Sequence, residues 1–344
     1  MLISLIIPCY NEEKNIQNLY KSITYTMETN YYNYEVVLVN DGSCDNTLEE
    51  IKKIAENDSR IKFISFSRNF GKESAMIAGL KSCTGDCGII LDADLQHPPE
   101  LIPQMVNAYY DGYDQVVMRR DRDGESPLRK IPTKLFYKFI NKTVDVKLTD
   151  GEGDFRLISR SVIDSIISLQ EYNRFSKGIF EWVGYNKKTI NFKNVARDEG
   201  QSSFSFFKLV DYAIDGTLSY NNKPLRICFY IGAVTMVLCL LYILVTLIQI
   251  VTHGIEEPGY FTIISSVLFL GGLQLFSLGI VGEYIGRIYY ESKHRPHYIV
   301  QDSNIKDDIL NKHHNNKFNS KHRIRPERQI NTNIEDKETD RAHE

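Results

Sequence analysis

The chain has 344 residues, 42% of them hydrophobic and 25% charged, enough to bury a sizeable core and to hold more than one structural unit. Its 41 Lys and Arg are balanced by 44 Asp and Glu, which excludes a typical nucleic-acid-binding domain, normally basic overall. Cys9, Cys44, Cys83, Cys87, Cys228 and Cys239 have no CxxC spacing and read as reduced structural thiols, not a disulfide framework.

Met1 leads directly into an apolar β-type run, Leu2 to Pro8, with no secretory leader in view. Cys9 to Glu13 then turns the chain into a helix, for which Asn11 is the expected cap. Tyr34 to Asn40 and Arg60 to Phe66 are the next strands. They are followed by Asp41-Gly42-Ser43 before a helix beginning near Asp45, and by Arg68 to Lys72 before a helix over 73–82. A fourth strand, Cys87 to Leu91, ends in Asp92, Ala93, Asp94 and Gln96 ahead of a helix opened by Pro98-Pro99. Alternating strands and helices of this kind make an α/β fold with a mostly parallel sheet covered on both faces.

Each polar turn follows the C-terminal end of its strand, where open α/β sheets bind ligands, so Tyr10, Glu12, Asp41, Lys72 and the Asp92–Gln96 group can meet in one crevice. In extended chain Asp92, Asp94 and Gln96 put three oxygens on one side, which suits Mg2+ or Mn2+. Paired acids at a strand end also serve as plain caps and turns, and both readings stand. No GxGxxG follows the first strand and no GxxxxGK[ST] occurs, which counts against a dinucleotide oxidoreductase and a P-loop phosphotransferase.

After a fifth strand, Tyr113 to Met118, Arg119, Arg120, Arg122, Arg129 and Lys130 crowd a loop. Apolar residues then recur at helical spacing over about 127–143, and again over 203–220, with lysines between those of the first helix. Such basic amphipathic helices suit a membrane interface, or alternatively pack on a soluble core. Gly151 to Ile158 is a turn feeding a short strand, where Asp154 and Arg156 suggest a local ion pair.

Two uncharged apolar runs begin at 227 and 260, and the spans they define, 227–252 and 260–285, exceed the ~20 residues needed to cross a bilayer. Lys223, Arg226, Arg287, Lys293 and Arg295 flank their outer ends while the loop His253 to Gly259 has no Lys or Arg, which places both termini in the cytoplasm. Glu283 and Arg287 are spaced for an intrahelical pair. The chain thus divides into a cytoplasmic domain over 1–222, a membrane domain over 223–300 and a charged, disordered cytoplasmic tail over 301–344.

A crevice that holds a metal and a diphosphate beside interfacial basic helices suits a soluble activated donor and a lipid acceptor. The arginines at 119–129 match an anionic head group, and Asp154 would orient the nucleophile or an arginine rather than abstract a proton. Ile6-Ile7-Pro8-Cys9-Tyr10-Asn11-Glu12, Val39-Asn40-Asp41-Gly42-Ser43, Ser67-Arg68-Asn69-Phe70-Gly71-Lys72 and Asp92 to Glu100 resemble the family 2 glycosyltransferases. With Gly153-Asp154-Phe155-Arg156-Leu157 and Gly282-Glu283-Tyr284-Ile285-Gly286-Arg287, the chain more narrowly resembles the bacterial polyprenyl-phosphate (bactoprenol) glycosyltransferases, relatives of dolichol-phosphate mannose synthase, over residues 1 to 300.

The resemblance implies a GT-A-type nucleotide-sugar domain, interfacial helices, a two-helix transmembrane hairpin and self-association into a homo-oligomer. It implies inverting, single-displacement transfer from a UDP-sugar, glucose or N-acetylglucosamine, to undecaprenyl phosphate, the product passing to a flippase and a second transferase. Carried over, Pro8, Tyr10, Glu12 and Asp41 contact the nucleoside, with Lys72, Asp92 and Ala93 also in the donor site. Asp92, Asp94 and Gln96 hold the metal and diphosphate, Arg119, Arg122 and Arg129 meet the acceptor phosphate, and Asp94 and Asp154 are the catalytic acids. Where relatives often read Arg-x-x-Gly-x-Ser-Lys-Tyr, this chain has Arg197-Asp198-Glu199-Gly200-Gln201-Ser202-Ser203-Phe204, so Ser203 stands where a diphosphate-contacting lysine is usual. A processive polysaccharide synthase, which would want further spans and a Gln-x-x-Arg-Trp motif absent here, and a non-catalytic membrane adaptor are the competing readings.

Overall fold

The computed structural model describes residues 1–121, 149, 151–192, 223–253 and 259–306. The helices expected at 127–143 and 203–220, with Arg122, Arg129, Arg197 and Ser203, lie outside the described residues, as does 307–344. Strands β1 (Leu2–Cys9), β2 (Asn33–Asn40), β3 (Ile61–Phe66) and β4 (Cys87–Ile90) alternate with helices α1 (Ile16–Thr29), α2 (Thr47–Asn57) and α3 (Lys72–Ser82). A short 3-10 turn, Pro99–Leu101, leads into α4 (Ile102–Tyr110), and β5 (Gln115–Arg120), β6 (Glu152–Ser159) and β7 (Lys187–Phe192) extend the sheet. Helices α5 (Arg160–Ser168) and α6 (Ser176–Trp182) lie between β6 and β7 in sequence.

Together with β8 (Val300–Ser303), the strands form one sheet in the order β7-β5-β6-β4-β1-β2-β3-β8. β1 pairs in parallel with β2 and β4, β2 with β3, and β5 with β7, whereas β6 runs antiparallel between β4 and β5. This is the GT-A-like α/β arrangement with a mostly parallel sheet. The central strands are largely apolar because both faces are covered, and Ile3, Leu5, Ile6 and Ile7 of β1 are all fully buried. On one face α1 inserts Ile16, Leu19, Ile23 and Met27 at helical spacing. On the other, α3 packs so closely that a Cβ at Gly79 would stand 2.3 Å from Ile6 Cγ2.

The first helix starts at Ile16, five residues after the cap expected at Asn11. Asn11 has φ 56°, its Oδ1 accepts from Cys44 N at 2.9 Å, and its own N donates to Ser43 Oγ at 3.0 Å. Its side chain therefore ties the β1 and β2 turns together instead of capping a helix.

Two long helices follow, α7 (Lys223–His253) and α8 (Tyr260–Ser292), which contact each other. Among the described residues, Phe269–Ser292 of α8 is long and apolar enough to cross a membrane, and Leu225–Leu238 of α7 forms a shorter apolar stretch. Phe269, Leu275, Phe276 and Leu278 of α8 are exposed. Glu283 Oε1 and Arg287 Nε lie 3.7 Å apart, the intrahelical pair expected from their spacing.

The chain then returns to the sheet. Val300–Ser303 forms β8, antiparallel to β3, so residues 301–306 belong to the fold and not to the tail assigned from sequence. Asn304 Oδ1 accepts from Phe63 N at 2.7 Å, Asn304 Nδ2 donates to Ile61 O at 3.0 Å, and Tyr298 stacks on Phe66 with centroids 4.8 Å apart.

Candidate active site

The site is built where β1, β2 and β4 end. Asp41, buried at the end of β2, accepts from Phe70 N at 2.7 Å and Gly71 N at 3.0 Å, which pins the turn into α3. Burial pushes its carboxyl up, outweighing the two amides. Gly42 beside it has φ 63°, and a Cβ there would lie 2.2 Å from Arg68 C. Gly42→Ala should therefore combine left-handed strain with a backbone clash and lower stability by about 1–3 kcal/mol, read as a fall in thermal midpoint.

That pinned turn delivers Lys72, the first residue of α3. Its Nζ lies 2.7 Å from Asp92 Oδ1 and 2.6 Å from Asp154 Oδ2, joining the end of β4 to β6. Burial opposes the lysine's charge, but Asp154 and Asp92 outweigh it and hold the ammonium above its ordinary value. Burial likewise opposes the Asp154 carboxylate, and Lys72 nonetheless brings it down to about 2. Asp154 is thus a carboxylate at neutral pH, paired with a lysine distant in sequence instead of its neighbour Arg156. Arg156 lies over the Phe180 ring at 3.8 Å and donates from Nη2 to Gly153 O at 2.6 Å.

A cavity of 400 Å³ opens over Lys72 and Asp92, with Asp154 behind the lysine and outside the lining. Pro8, Tyr10 and Glu12 line it from the β1 turn, Asp41 from β2 and Lys72 from α3. Asp92, Ala93 and Asp94 line it from the end of β4, so the structure brings all the expected donor residues to one wall-to-wall space. Gln96 and Arg119 also lie outside it. Gln96 Oε1 accepts from Arg120 Nη2 at 2.8 Å and does not line the cavity, whereas Asp92 and Asp94 do. Arg119 Nε donates to Asn191 Oδ1 at 2.8 Å and is likewise outside the lining. Among the described residues no cluster of three or more His, Cys, Asp or Glu is poised to hold a metal.

Residues 4–167 match the glycosyl transferase family 2 model, and 223–288 match the GtrB C-terminal hairpin. The putative glycosyltransferase CsbB of Bacillus subtilis (strain 168) is 51% identical over 90% of this chain and 94% of its own length. The chain belongs to glycosyl transferase family 2. The bactoprenol glucosyl transferase of Shigella phage SfV is 41% identical over 89% of this chain and the whole of its own. A crystal structure of glucosyl-3-phosphoglycerate synthase from Mycobacterium tuberculosis with Mn2+, UDP and phosphoglyceric acid is more distant, 18% identical over 63% of this chain and 76% of that one, with a TM-score of 0.43.

In this family 2 glycosyltransferase, residues beyond the expected set hold the site in place. His97 Nδ1 accepts from Asp92 N at 2.9 Å, and its ring stacks on Phe155 with centroids 4.8 Å apart. Burial lowers the His97 pKa, so the neutral imidazole serves as the acceptor. Glu73 accepts from Ser176 N at 3.2 Å and bonds its hydroxyl, which ties the start of α3 to α6. The signal for His97 was present, since it lies inside the Asp92–Glu100 motif, but only the fold shows that its ring faces the strand end. His97→Phe keeps the stack and orphans the Asp92 amide. It should cost about 1–3 kcal/mol of stability, measured by denaturant unfolding.

Proposed function

We propose that this glycosyltransferase moves one sugar, glucose or N-acetylglucosamine, from a UDP-sugar to undecaprenyl phosphate at the cytoplasmic surface of the membrane. The observation that carries the reading is the cavity in which Pro8, Tyr10, Glu12, Asp41, Lys72 and the Asp92–Asp94 turn face one another at the C-terminal ends of parallel strands. The relatives named bactoprenol glucosyl transferase support the lipid acceptor. The hairpin match over 223–288, the exposed apolar surface of α8 and the basic flanks of both apolar runs support two spans with both termini cytoplasmic. Self-association rests on the family resemblance alone.

The acceptor phosphate oxygen attacks the anomeric carbon while the bond from that carbon to the UDP oxygen breaks, and UDP departs with the electron pair. A lipid phosphomonoester is already ionised at neutral pH, with a second pKa near ~6, so no side chain has to take a proton. That suits Asp154, whose carboxylate is held by Lys72 and is a poor base. Asp154 fixes the ammonium, and the ammonium stabilises negative charge on the leaving diphosphate.

A divalent ion fits as well. Mg2+ is commonly held by one or two carboxylates together with substrate phosphates, and Asp92 and Asp94 both line the cavity. These two would hold it without Gln96, and when bound it would neutralise the diphosphate as a Lewis acid. Membranes containing the full chain, given radiolabelled UDP-sugars and undecaprenyl phosphate, should yield a chloroform-soluble product that mild acid cleaves. No such product from any UDP-sugar would rule the reading out.

A further inference from the structure

The motifs at 67–72 and 282–287 converge on a second cavity, of 610 Å³, on the other side of the turn into α3. Lys72 faces the donor space, whereas Glu73 lines the second one, and Asn69 and Gly71 line both. Three guanidinium residues from separate segments meet there: Arg68 before α3, Arg174 between α5 and α6, and Arg287 on α8.

The surroundings favour an anion. Glu73 is the acid in the lining, and burial pushes its carboxyl up. His297, also in the lining, is pushed down to about 4 by burial, with the Arg174 and Lys81 cations adding to the effect. The walls are braced. Tyr172 stacks on Tyr290 and His297 with centroids 5.9 and 5.8 Å apart, and its N donates to Glu291 Oε2 at 2.9 Å. Arg174 Nη1 donates to Leu169 O at 2.8 Å, and the Arg68 guanidinium lies 4.1 Å from the Phe70 ring centre. Guanidinium groups fixed around a space of this size match phosphate oxygens.

The position of Arg287 selects the source of that phosphate. Phe276, Ile280 and Tyr284 of the same helix precede Arg287 by whole turns and share its face, Phe276 exposed and the other two half-buried, so an acyl or prenyl chain lying along α8 would bring its head group to the cavity mouth. We infer that this cavity is a second phosphate site, separate from Arg119, Arg122 and Arg129, which holds the polyprenyl phosphate acceptor beside the donor crevice before transfer. The inference rests on the lipid-acceptor reading given above and extends it to named residues.

Equilibrium binding of tritiated farnesyl phosphate to the full chain in detergent micelles tests it, with UDP binding measured in parallel as the report on an intact donor crevice. Arg68→Gln and Arg287→Gln should each weaken farnesyl phosphate binding by about tenfold or more while UDP binding stays unchanged, the size expected for a lost charge-assisted bond. Inorganic phosphate should displace the probe poorly. Unchanged farnesyl phosphate binding in both variants would overturn the site, and equal displacement by inorganic phosphate would overturn its assignment to a lipid. Should Arg287→Gln lose UDP binding as well, the exposed Arg68 decides by the same two readouts. Arginine-dependent binding without any sugar transfer would leave the site standing and remove the assigned reaction; transfer with arginine-independent binding would do the reverse.

Discussion

Replacing Lys72 with methionine should lower kcat/KM for sugar transfer by roughly 10²–10³-fold, the loss typical when one preorganised charge-stabilising donor is removed. The lysine does two things at once in this structure. It presents an ammonium to the cavity where a diphosphate would depart, and it separates Asp92 from Asp154 at 2.7 and 2.6 Å. Methionine keeps most of the volume but leaves two carboxylates facing each other without the cation. Such a pair takes up a shared proton at higher pH than either acid alone.

Asp154 has its pKa depressed to about 2, so its stabilisation is complete above the ordinary carboxylate value of ~3.9 and is lost as pH falls towards 2. The wild-type rate should therefore have no acid limb from Asp154 near neutrality. The variant should gain one, because its carboxylates protonate at higher pH. Initial rates with radiolabelled donor from pH 5 to 8 measure both effects, and a variant within threefold of wild type, with an unchanged profile, would remove Lys72 from the mechanism.

Glu35→Ala should cost the fold about 3 kcal/mol, the lower end of what removing one partner of a buried ion pair costs. Glu35 is 5% exposed on β2. It accepts from Ser4 Oγ at 2.6 Å, Thr84 N at 2.6 Å and Thr84 Oγ1 at 2.8 Å, and it pairs with Lys62. Alanine strands all of these donors, although Lys62 is partly exposed and can find water. Burial alone would raise the Glu35 pKa, but Lys62, Ser4 and Thr84 reverse the shift and lower it. The stability Glu35 supplies is present above its unfolded pKa of ~4.3 and lost as pH falls through its lower folded value. Unfolding followed by circular dichroism at pH 7 and again below pH 4 should show the gap between wild type and variant shrinking with acid.

The order of β1 to β5 was legible because buried parallel strands are continuous apolar runs punctuated by polar turns, as in Leu2–Pro8 before Tyr10 and Cys87–Leu91 before Asp92. The convergence of Tyr10, Glu12, Asp41, Lys72 and Asp92 followed from the same rule, since ligand loops gather at strand ends. What sequence could not supply were partners set by long-range packing. Nothing local says that Asp154 would choose Lys72 over Arg156, that Gln96 would turn to Arg120, or that Asn11 would bind the β2 turn. β8 is hidden in the sequence for a related reason. Val300-Gln301-Asp302-Ser303 is mostly polar and aperiodic, and it becomes a strand only because β3 offers it a row of backbone groups.

That returning segment has a further effect on solubility. Without it β3 would be the last strand of the sheet, with its amides and carbonyls unpaired and ready to recruit a neighbouring molecule. Gln301, Asp302 and Ser303, with Lys52 clasped to Asp302 at 2.8 Å, seal that border. The very hydrophilicity that hides β8 from a strand search makes it a suitable guard, for it ends the ladder on a surface that other chains have little reason to extend.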